Sequence, residues 1–230
     1  MNIEIVETYK CKYCQKSFRR ESSLLVHLCE KKRRAHQEND VGVRLGMQAY
    51  LRFFEMTQGS AKTKTYQDFS ESPYYVSFVK FGQYLVQVRA INIPMFITWI
   101  IKENKKLDQW TKEEFYDEYL YDYLRKEHPD DALERSFAEM QRWTDETGNQ
   151  FNDIFRKGAP NKVCNMIING RISPWILYKS LGGRCFLESL NEEQITIIFK
   201  FIDPPYWERK FKDFMANSEY IEQICAEVNL

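Results

Sequence analysis

Apolar residues recur at helical spacing along most of the chain. Between residues 74 and 88 the steps from one apolar position to the next alternate between four and three, and the segment 41–58 has a similar period. This period places apolar side chains on one face of an α-helix, whereas a strand would alternate at every second residue. Both segments are therefore predicted to be helices.

Proline and glycine residues mark the ends of later helices. Pro94 opens a short and very apolar helix that we expect at the centre of the core. One helix is predicted to begin at Pro129 and to end at Gly148, and a shorter one to run from Pro160 to Gly170.

Side-chain caps predict three more helix starts. The predicted caps are Thr111 with Glu114, Ser173 with Pro174, and Ser189 with Glu192. Gly182 is predicted to end the second of these helices, and two more helices are predicted near 206–216 and 218–228. The segment 58–73 is polar and rich in turn-forming residues, so it is predicted to be a mobile loop.

These elements indicate a mainly α fold. Strands and helices do not alternate as they would around a parallel sheet, so residues 39–230 are predicted to form one all-α body of about eight to ten helices. Hydrophobic residues make up 43% of the 230 positions, and there are only nine Gly and seven Pro residues, so little of the chain is expected to be linker.

The sequence also bears on where the protein acts. Its N-terminus has no apolar stretch of signal-peptide length, and no later run approaches the roughly 18 apolar residues that cross a membrane. Its six cysteines do not form the dense framework of a secreted disulfide protein. We therefore expect an intracellular, cytoplasmic protein without membrane contact.

The segment 9–36 has a different pattern, built around cysteine and histidine. The spaced positions are Tyr9, Cys11, Cys14, Phe18, Leu24 and His27. These residues and their spacing resemble the two-cysteine, two-histidine zinc finger, a small ββα module. In that family two thiolates on a tight hairpin and two imidazoles bind zinc tetrahedrally. The resemblance implies a zinc-binding domain over residues 1–38, with Phe18 and Leu24 as its small core.

The fourth ligand departs from the pattern of the family. The second histidine of the family follows the first after three to five residues, but here those positions hold only lysine and arginine. His36 comes after eight residues, and Cys29 lies two positions after His27, so either one requires the finger helix to end or bend early. His36 is preferred because its longer loop is less strained. The predicted ligands are thus Cys11, Cys14, His27 and His36, with Cys29, water or a side chain of the body as alternatives.

The finger also carries candidate residues for nucleic-acid binding. By the resemblance, the side chains that would face DNA bases are Arg20, Ser23 and Val26, and Val26 offers only an apolar contact. One finger covers about 3 base pairs, so we expect poor sequence specificity. The cations that suit phosphate contacts are Arg19, Lys31, Lys32, Arg33 and Arg34, together with Lys10, Lys12 and Lys16. The alternative for the run from Lys31 to Arg34 is a solvated helix end, where the helix dipole favours cations.

Charge is segregated along the chain, although the formal net charge is zero. Residues 10–36 carry a net charge of +7, residues 103–146 carry −7, and residues 150–186 carry +5. Basic segments either bind an anionic partner or face the acidic segments of the same chain. The first explanation is favoured for residues 10–36, and both remain open for residues 150–186.

Two further sets of residues have a structural explanation that we prefer. In the segment 155–185 basic residues alternate with Trp175 and Tyr178, which would suit a nucleic-acid strand, but a helix packed into the core is favoured. The carboxylates of the other set are Glu114, Asp117, Glu118 and Asp122. A nuclease would use such a cluster to bind a divalent metal, but the solvated face of a helix is favoured.

These observations predict a protein that is not an enzyme. The leading hypothesis is an accessory or regulatory factor in replication, repair or transcription, whose finger docks on DNA or another nucleic acid while the body contacts a protein partner. The alternatives are an adaptor whose finger binds a protein and, less favoured, a metal-dependent nuclease. In helical style and in its content of Lys, Tyr, Phe and Asn, the body resembles accessory proteins of T4-type tailed phages, which implies the cytoplasm of an infected bacterium.

Overall fold

The chain is almost entirely helical. A computed structural model describes residues 8–59 and 63–230, and within them it confirms a mainly α fold with a two-stranded hairpin near the N-terminus. The strands are β1 (Tyr9–Lys10) and β2 (Ser17–Phe18). The α-helices are α1 (Glu21–Leu25), α2 (Glu30–His36), α3 (Val41–Gln58), α4 (Tyr66–Glu71), α5 (Tyr75–Gln87), α6 (Ile93–Lys102), α7 (Glu113–Lys126), α8 (Pro129–Thr147), α9 (Ile154–Lys157), α10 (Pro160–Ile168), α11 (Pro174–Lys179), α12 (Leu181–Ser189), α13 (Glu192–Ile202), α14 (Pro204–Asp213) and α15 (Met215–Glu227).

The chain divides into two compact units. Unit 1 contains the described residues of Met1–Val88 together with Ile93–Thr111, and unit 2 contains Arg89–Asn92 and Lys112–Leu230. The finger segment lies in unit 1 with α3 to α6. The sequence-based boundary at residue 38 stays a prediction about which part of the chain folds by itself. Among the described residues, no helix combines the length and apolar character that crossing a membrane requires.

Several predicted helix ends are confirmed. Pro94 lies at the start of α6, whose Phe96, Ile97 and Ile100 are buried. Helix α8 begins at Pro129 and ends before Gly148, which has a φ of 70°. A left-handed glycine of this kind ends many helices because it carries no Cβ that would clash.

Other predicted helix ends are wrong. They are the capping box of Thr111 with Glu114, the capping box of Ser189 with Glu192, and the helix end at Gly182. Helix α7 has Lys112 at its N-cap without a side-chain cap, α13 is capped by Asn191 with Gln194, and Gly182 lies in the first turn of α12. Tertiary packing decides where a helix begins. When several neighbouring residues can cap a helix, the sequence alone does not show which of them is the N-cap.

The segment 58–73, predicted as a loop, contains a helix. Thr65 and Asp68 form a reciprocal capping box at the start of α4, and Phe69 on this helix is fully buried. Residues 60–62 lie outside the described part of the chain. Thirteen α-helices follow the finger in the described residues, more than the eight to ten helices predicted, because this segment folds and the later part of the chain breaks into short helices.

In unit 1, glycines allow α3 and α5 to pack very closely. A Cβ on Gly82 of α5 would overlap the carbonyl oxygen of Gly42 and lie 2.5 Å from the backbone nitrogen of Gly46, both on α3. A Cβ on Gly46 would in turn lie 2.6 Å from the carbonyl oxygen of Phe78. Backbone therefore meets backbone at this crossing, with no space for side chains.

We expect Gly82→Ala to destabilise unit 1, although glycine to alanine within a helix ordinarily stabilises it by about 1 kcal/mol. The added methyl group must push two helix backbones apart, which costs about 1–3 kcal/mol or more. Denaturant unfolding measures the change, and Val76→Ala on the exposed side of α5 is the control. A stabilised Gly82→Ala variant would contradict this packing.

Unit 2 contains a buried ion pair between α7 and α8. The Glu127 side chain is fully buried, its Oε2 lies 2.5 Å from Nη1 of Arg135, and its Oε1 accepts a hydrogen bond of 2.5 Å from the Ser173 hydroxyl. Arg135 also donates to the Gly170 carbonyl oxygen at 2.6 Å. Burial by itself would lower the pKa of Arg135, but the Glu127 carboxylate raises it above its usual value. The pair therefore connects α7 and α8 to the loop before α11.

Candidate metal centre and the surface of the finger

The hairpin brings the first two cysteines together. Strands β1 and β2 pair antiparallel, and the Cys11 N–H donates to the Lys16 carbonyl oxygen at 3.0 Å. The Gln15 N–H donates back to the Cys11 carbonyl oxygen at 2.9 Å, and Gln15 takes a positive φ of 61° to complete the turn. This tight turn places the thiols of Cys11 and Cys14 in the same cluster.

The short helix α1 supplies the histidine. It ends at Leu25, and the His27 N–H donates to the Leu24 carbonyl oxygen at 3.1 Å as the chain turns away. The ring of His27 packs on Phe18 with centroids 4.7 Å apart, and its Nε2 lies 3.2 Å from Sγ of Cys14. Phe18, a predicted member of the small core of the finger, therefore contacts the imidazole directly.

Cys29 completes the group. Its Sγ lies 3.9 Å from Sγ of Cys11, and the four ligand atoms of Cys11, Cys14, His27 and Cys29 all lie within 4.8 Å of one another. Cys29 is also the N-cap of α2, where its Sγ accepts the Lys32 N–H at 3.4 Å. Three cysteines and one histidine thus form a cluster that could hold a metal ion.

The geometry fits four-coordinate metal binding. Metal–sulfur bonds of about 2.3 Å in a tetrahedron place the ligand atoms about 3.8 Å apart, close to the distance between Cys11 and Cys29. Cys11 is buried, and a hydrogen bond from the Cys14 backbone lowers the pKa of its thiol to about 7. Such N–H donors stabilise the thiolate form, which is the form that binds metals.

The structure brings Cys29 into the group, where the sequence analysis preferred His36. His36 is the last residue of α2 and is exposed, with its ring 6.2 Å from that of Tyr13. The finger helix stops early, as either candidate requires, but a second helix starts immediately after Cys29. Seven residues of helix carry the chain about 10 Å along the axis from Cys29, and His36 is not part of the metal-binding group found among the described residues. The preference for His36 rests on a flexible loop from Cys29 to His36, whereas the structure has helix α2 there.

The basic run after Cys29 is largely engaged within the protein. Arg34 donates to the Ser70 carbonyl oxygen at 2.5 Å, stacks 4.4 Å above the Tyr75 ring and pairs with Glu30. The Tyr66 hydroxyl donates to the Arg34 carbonyl oxygen. The same helix is held by the other cations of the run: Lys31 pairs with Glu71, Lys32 donates to the His27 carbonyl oxygen, and Arg33 lies 3.8 Å from Glu30. These contacts attach α2 to α4 and α5 of unit 1.

The cations of the hairpin have no such partners. Within the described part of the chain, no carboxylate lies within ion-pair distance of Lys10, Lys12, Lys16, Arg19 or Arg20, and all five are exposed. Lys12 and Lys16 lie over the rings of Tyr13 and Phe18. The positive charge that remains available is therefore concentrated on the hairpin and on the entry to α1.

The predicted base-reading positions lie at the surface but on a very short helix. Arg20 is the N-cap of α1, Ser23 is exposed, and Val26 follows the end of the helix with 83% of its side chain exposed. Leu25 and Leu28 are exposed as well, at 72% and 68%. Sequence reasoning named Val26 as an apolar position but missed Leu25 and Leu28, because the finger pattern does not show that α1 stops at Leu25.

The other sets of residues follow the structural explanations. Trp175 and Ile176 are buried in the core of unit 2, as the preferred interpretation predicts. Asp117 pairs with Lys200, and among the described residues the carboxylates of α7 do not come together as a metal-binding group. Acidic and basic segments face each other in part, since Glu139 pairs with Arg171. Lys162 likewise pairs with Glu146.

Fold and site together define a helical protein with a finger that presents a cluster of three cysteines and one histidine. No known family model matches the chain, and no curated protein or solved structure matches it. Its function is therefore inferred from the chemistry of its own residues.

Proposed function

We propose that the finger binds zinc and docks the protein on nucleic acid through phosphate contacts, as a non-enzymatic accessory factor in replication, repair or transcription. Three thiolates and one imidazole suit zinc, which in structural sites is bound by four such ligands with no open position. The metal would hold the hairpin in a fixed shape and would take no part in chemistry.

The observation that carries this proposal is the set of exposed hairpin cations that have no carboxylate partner among the described residues. Phosphate contacts need exposed lysine and arginine side chains, and they give affinity without sequence information. Arg34 is not part of this surface because it is committed to Ser70 and Tyr75. The docking surface is thus the hairpin with Arg19 and Arg20, in place of the whole Lys31 to Arg34 run.

Binding to a short DNA duplex of arbitrary sequence, measured by fluorescence anisotropy at several salt concentrations, tests this surface. We expect affinity to fall steeply with salt and to differ little between sequences. Changing Lys12, Lys16 and Arg20 to Gln removes up to three cations from the interface. The slope of log K against log salt should then become less steep by about 0.9 for each phosphate that is no longer neutralised.

The matched control changes Lys80, Lys102 and Lys106 to Gln, three exposed lysines of unit 1 outside the finger. This variant loses the same charge, so it corrects for the general electrostatic attraction of the protein. Equal weakening by both variants, or no binding by the unaltered protein at low salt, would refute the proposed surface.

One observation favours the alternative of a protein-binding adaptor: the exposed apolar residues beside the metal site, which offer nothing to phosphates. The cytoplasmic location and the resemblance to phage accessory proteins remain predictions from the sequence.

A further inference from the structure

Leu25, Val26 and Leu28 form an apolar tip on the finger. Their exposed fractions of 72%, 83% and 68% are the highest among the large apolar side chains of the described residues. Three such side chains within four positions are unusual at the surface of a folded protein, where exposed apolar residues are normally scattered singly.

The path of the chain explains why these side chains point outwards. Leu24 is partly buried in the finger, while His27 and Cys29 contribute their ligand atoms to the metal cluster. With His27 and Cys29 turned inwards, the intervening Leu28 is left outside. The described residues of the finger leave these three side chains uncovered, so its own packing gives no reason for leucine and valine at these positions.

Charge indicates what kind of partner fits. Arg19 and Arg20 precede α1 and have no acidic partner among the described residues, and Arg33 is 58% exposed. Of the two nearby glutamates, Glu30 is already bound by Arg34, which leaves Glu21. A ligand for this surface therefore needs aliphatic or aromatic side chains flanked by carboxylates.

We propose that the apolar tip binds an acidic amphipathic helix of a partner protein. Such a helix presents apolar side chains at positions i, i+3, i+4 and i+7 and can carry aspartate and glutamate along the flanks of that stripe. Aliphatic groups make no hydrogen bonds to base edges, and they contribute nothing to phosphate binding, so the nucleic-acid function does not explain them. The surface is small, which predicts a weak and transient complex. This inference does not depend on nucleic-acid docking.

The experiment uses three synthetic helical peptides of about 15 residues and the full, metal-loaded chain. The first peptide has a leucine stripe flanked by glutamate, the second has serine in place of leucine, and the third has lysine in place of glutamate. We expect the first to bind at least about tenfold more tightly than the other two in fluorescence anisotropy. Equal binding of the first two peptides would show that charge alone acts, and would overturn the proposal.

A double variant of the tip, with Leu25 and Leu28 changed to Ser, is expected to lose at least about tenfold in affinity for the first peptide while keeping its metal stoichiometry and DNA affinity. The control changes Val76 and Met95 to Ser, which are exposed apolar residues of unit 1 outside the finger. If the tip variant loses DNA binding and keeps peptide binding, the tip is a wedge for nucleic acid and the proposal is wrong. Changing only Lys12 and Lys16 to Gln tests nucleic-acid docking separately, because Arg20 belongs to both proposed surfaces.

Discussion

Removal of the metal is expected to unfold the finger and to leave unit 2 folded. The core of the finger consists of Phe18, Leu24 and the ligands themselves, so metal binding must supply most of its folding free energy, about 10–16 kcal/mol in comparable peptides. Hydrogen exchange with and without a strong chelator measures this. The amides of residues 9–29 should lose protection, whereas those of α8 and α11 should not change. Retained protection in the finger would mean that it folds without metal.

A pair of single substitutions distinguishes the two candidates for the fourth ligand. We expect Cys29→Ser to weaken metal affinity by more than about 100-fold, since changes that only support a ligand already cost 10–100-fold. His36→Ala should leave affinity unchanged, because this side chain is exposed at the far end of α2. Competition with a chelator of known affinity provides the measurement. The reverse result would establish His36 as the ligand and would refute the cluster of three cysteines and one histidine.

The second large effect is expected in unit 2. Arg135→Met leaves the Glu127 carboxylate buried and without its cation, and breaking a buried pair in this way costs about 3–5 kcal/mol. Denaturant dependence of hydrogen exchange in α8 and α11 measures the free energy of unfolding for this unit. Adding Glu127→Gln to the same chain removes the uncompensated charge and should recover part of the loss.

An exposed ion pair is the control for that experiment. Arg184 lies 3.8 Å from Glu222, and both side chains are about half exposed. Because exposed pairs contribute about 0–1 kcal/mol, Arg184→Met should have little effect. Equal losses in the two variants would mean that the buried pair is not special and that Arg135 acts mainly through the packing of its chain.

The sequence predicted much of the helical fold because several ends depend on strictly local chemistry. Pro129 and Gly148 act through their own backbone, whatever surrounds them, and both positions are confirmed. The helix α4 was missed because its apolar contribution to the core rests on Phe69 in an otherwise polar stretch. A single buried side chain gives no periodicity, so only tertiary contacts reveal it.

The candidate site was predicted in part for similar reasons. Cys11, Cys14 and His27 follow from the resemblance to the zinc-finger pattern, whose spacing reflects the dimensions of a hairpin turn and a short helix. The position of Cys29 depends on where α1 stops and where α2 begins, and this is decided partly by Arg34, Ser70 and other contacts outside the finger. Helix α2 contacts both the finger and helices α4 and α5. The finger pattern contains no information about the contacts with α4 and α5.

Cys29 therefore belongs to two equilibria at once. As a member of the cluster it would contribute to metal binding, and as the N-cap it begins the helix that carries Arg34 onto Ser70. Thermodynamic linkage is reciprocal. If the packing of α2 on α4 and α5 orders Cys29, it increases the affinity for the metal, and metal binding stabilises that packing by the same free energy. The metal affinity would in this way depend on unit 1 as a whole. A short peptide that contains only the four cluster residues is expected to bind the metal less tightly.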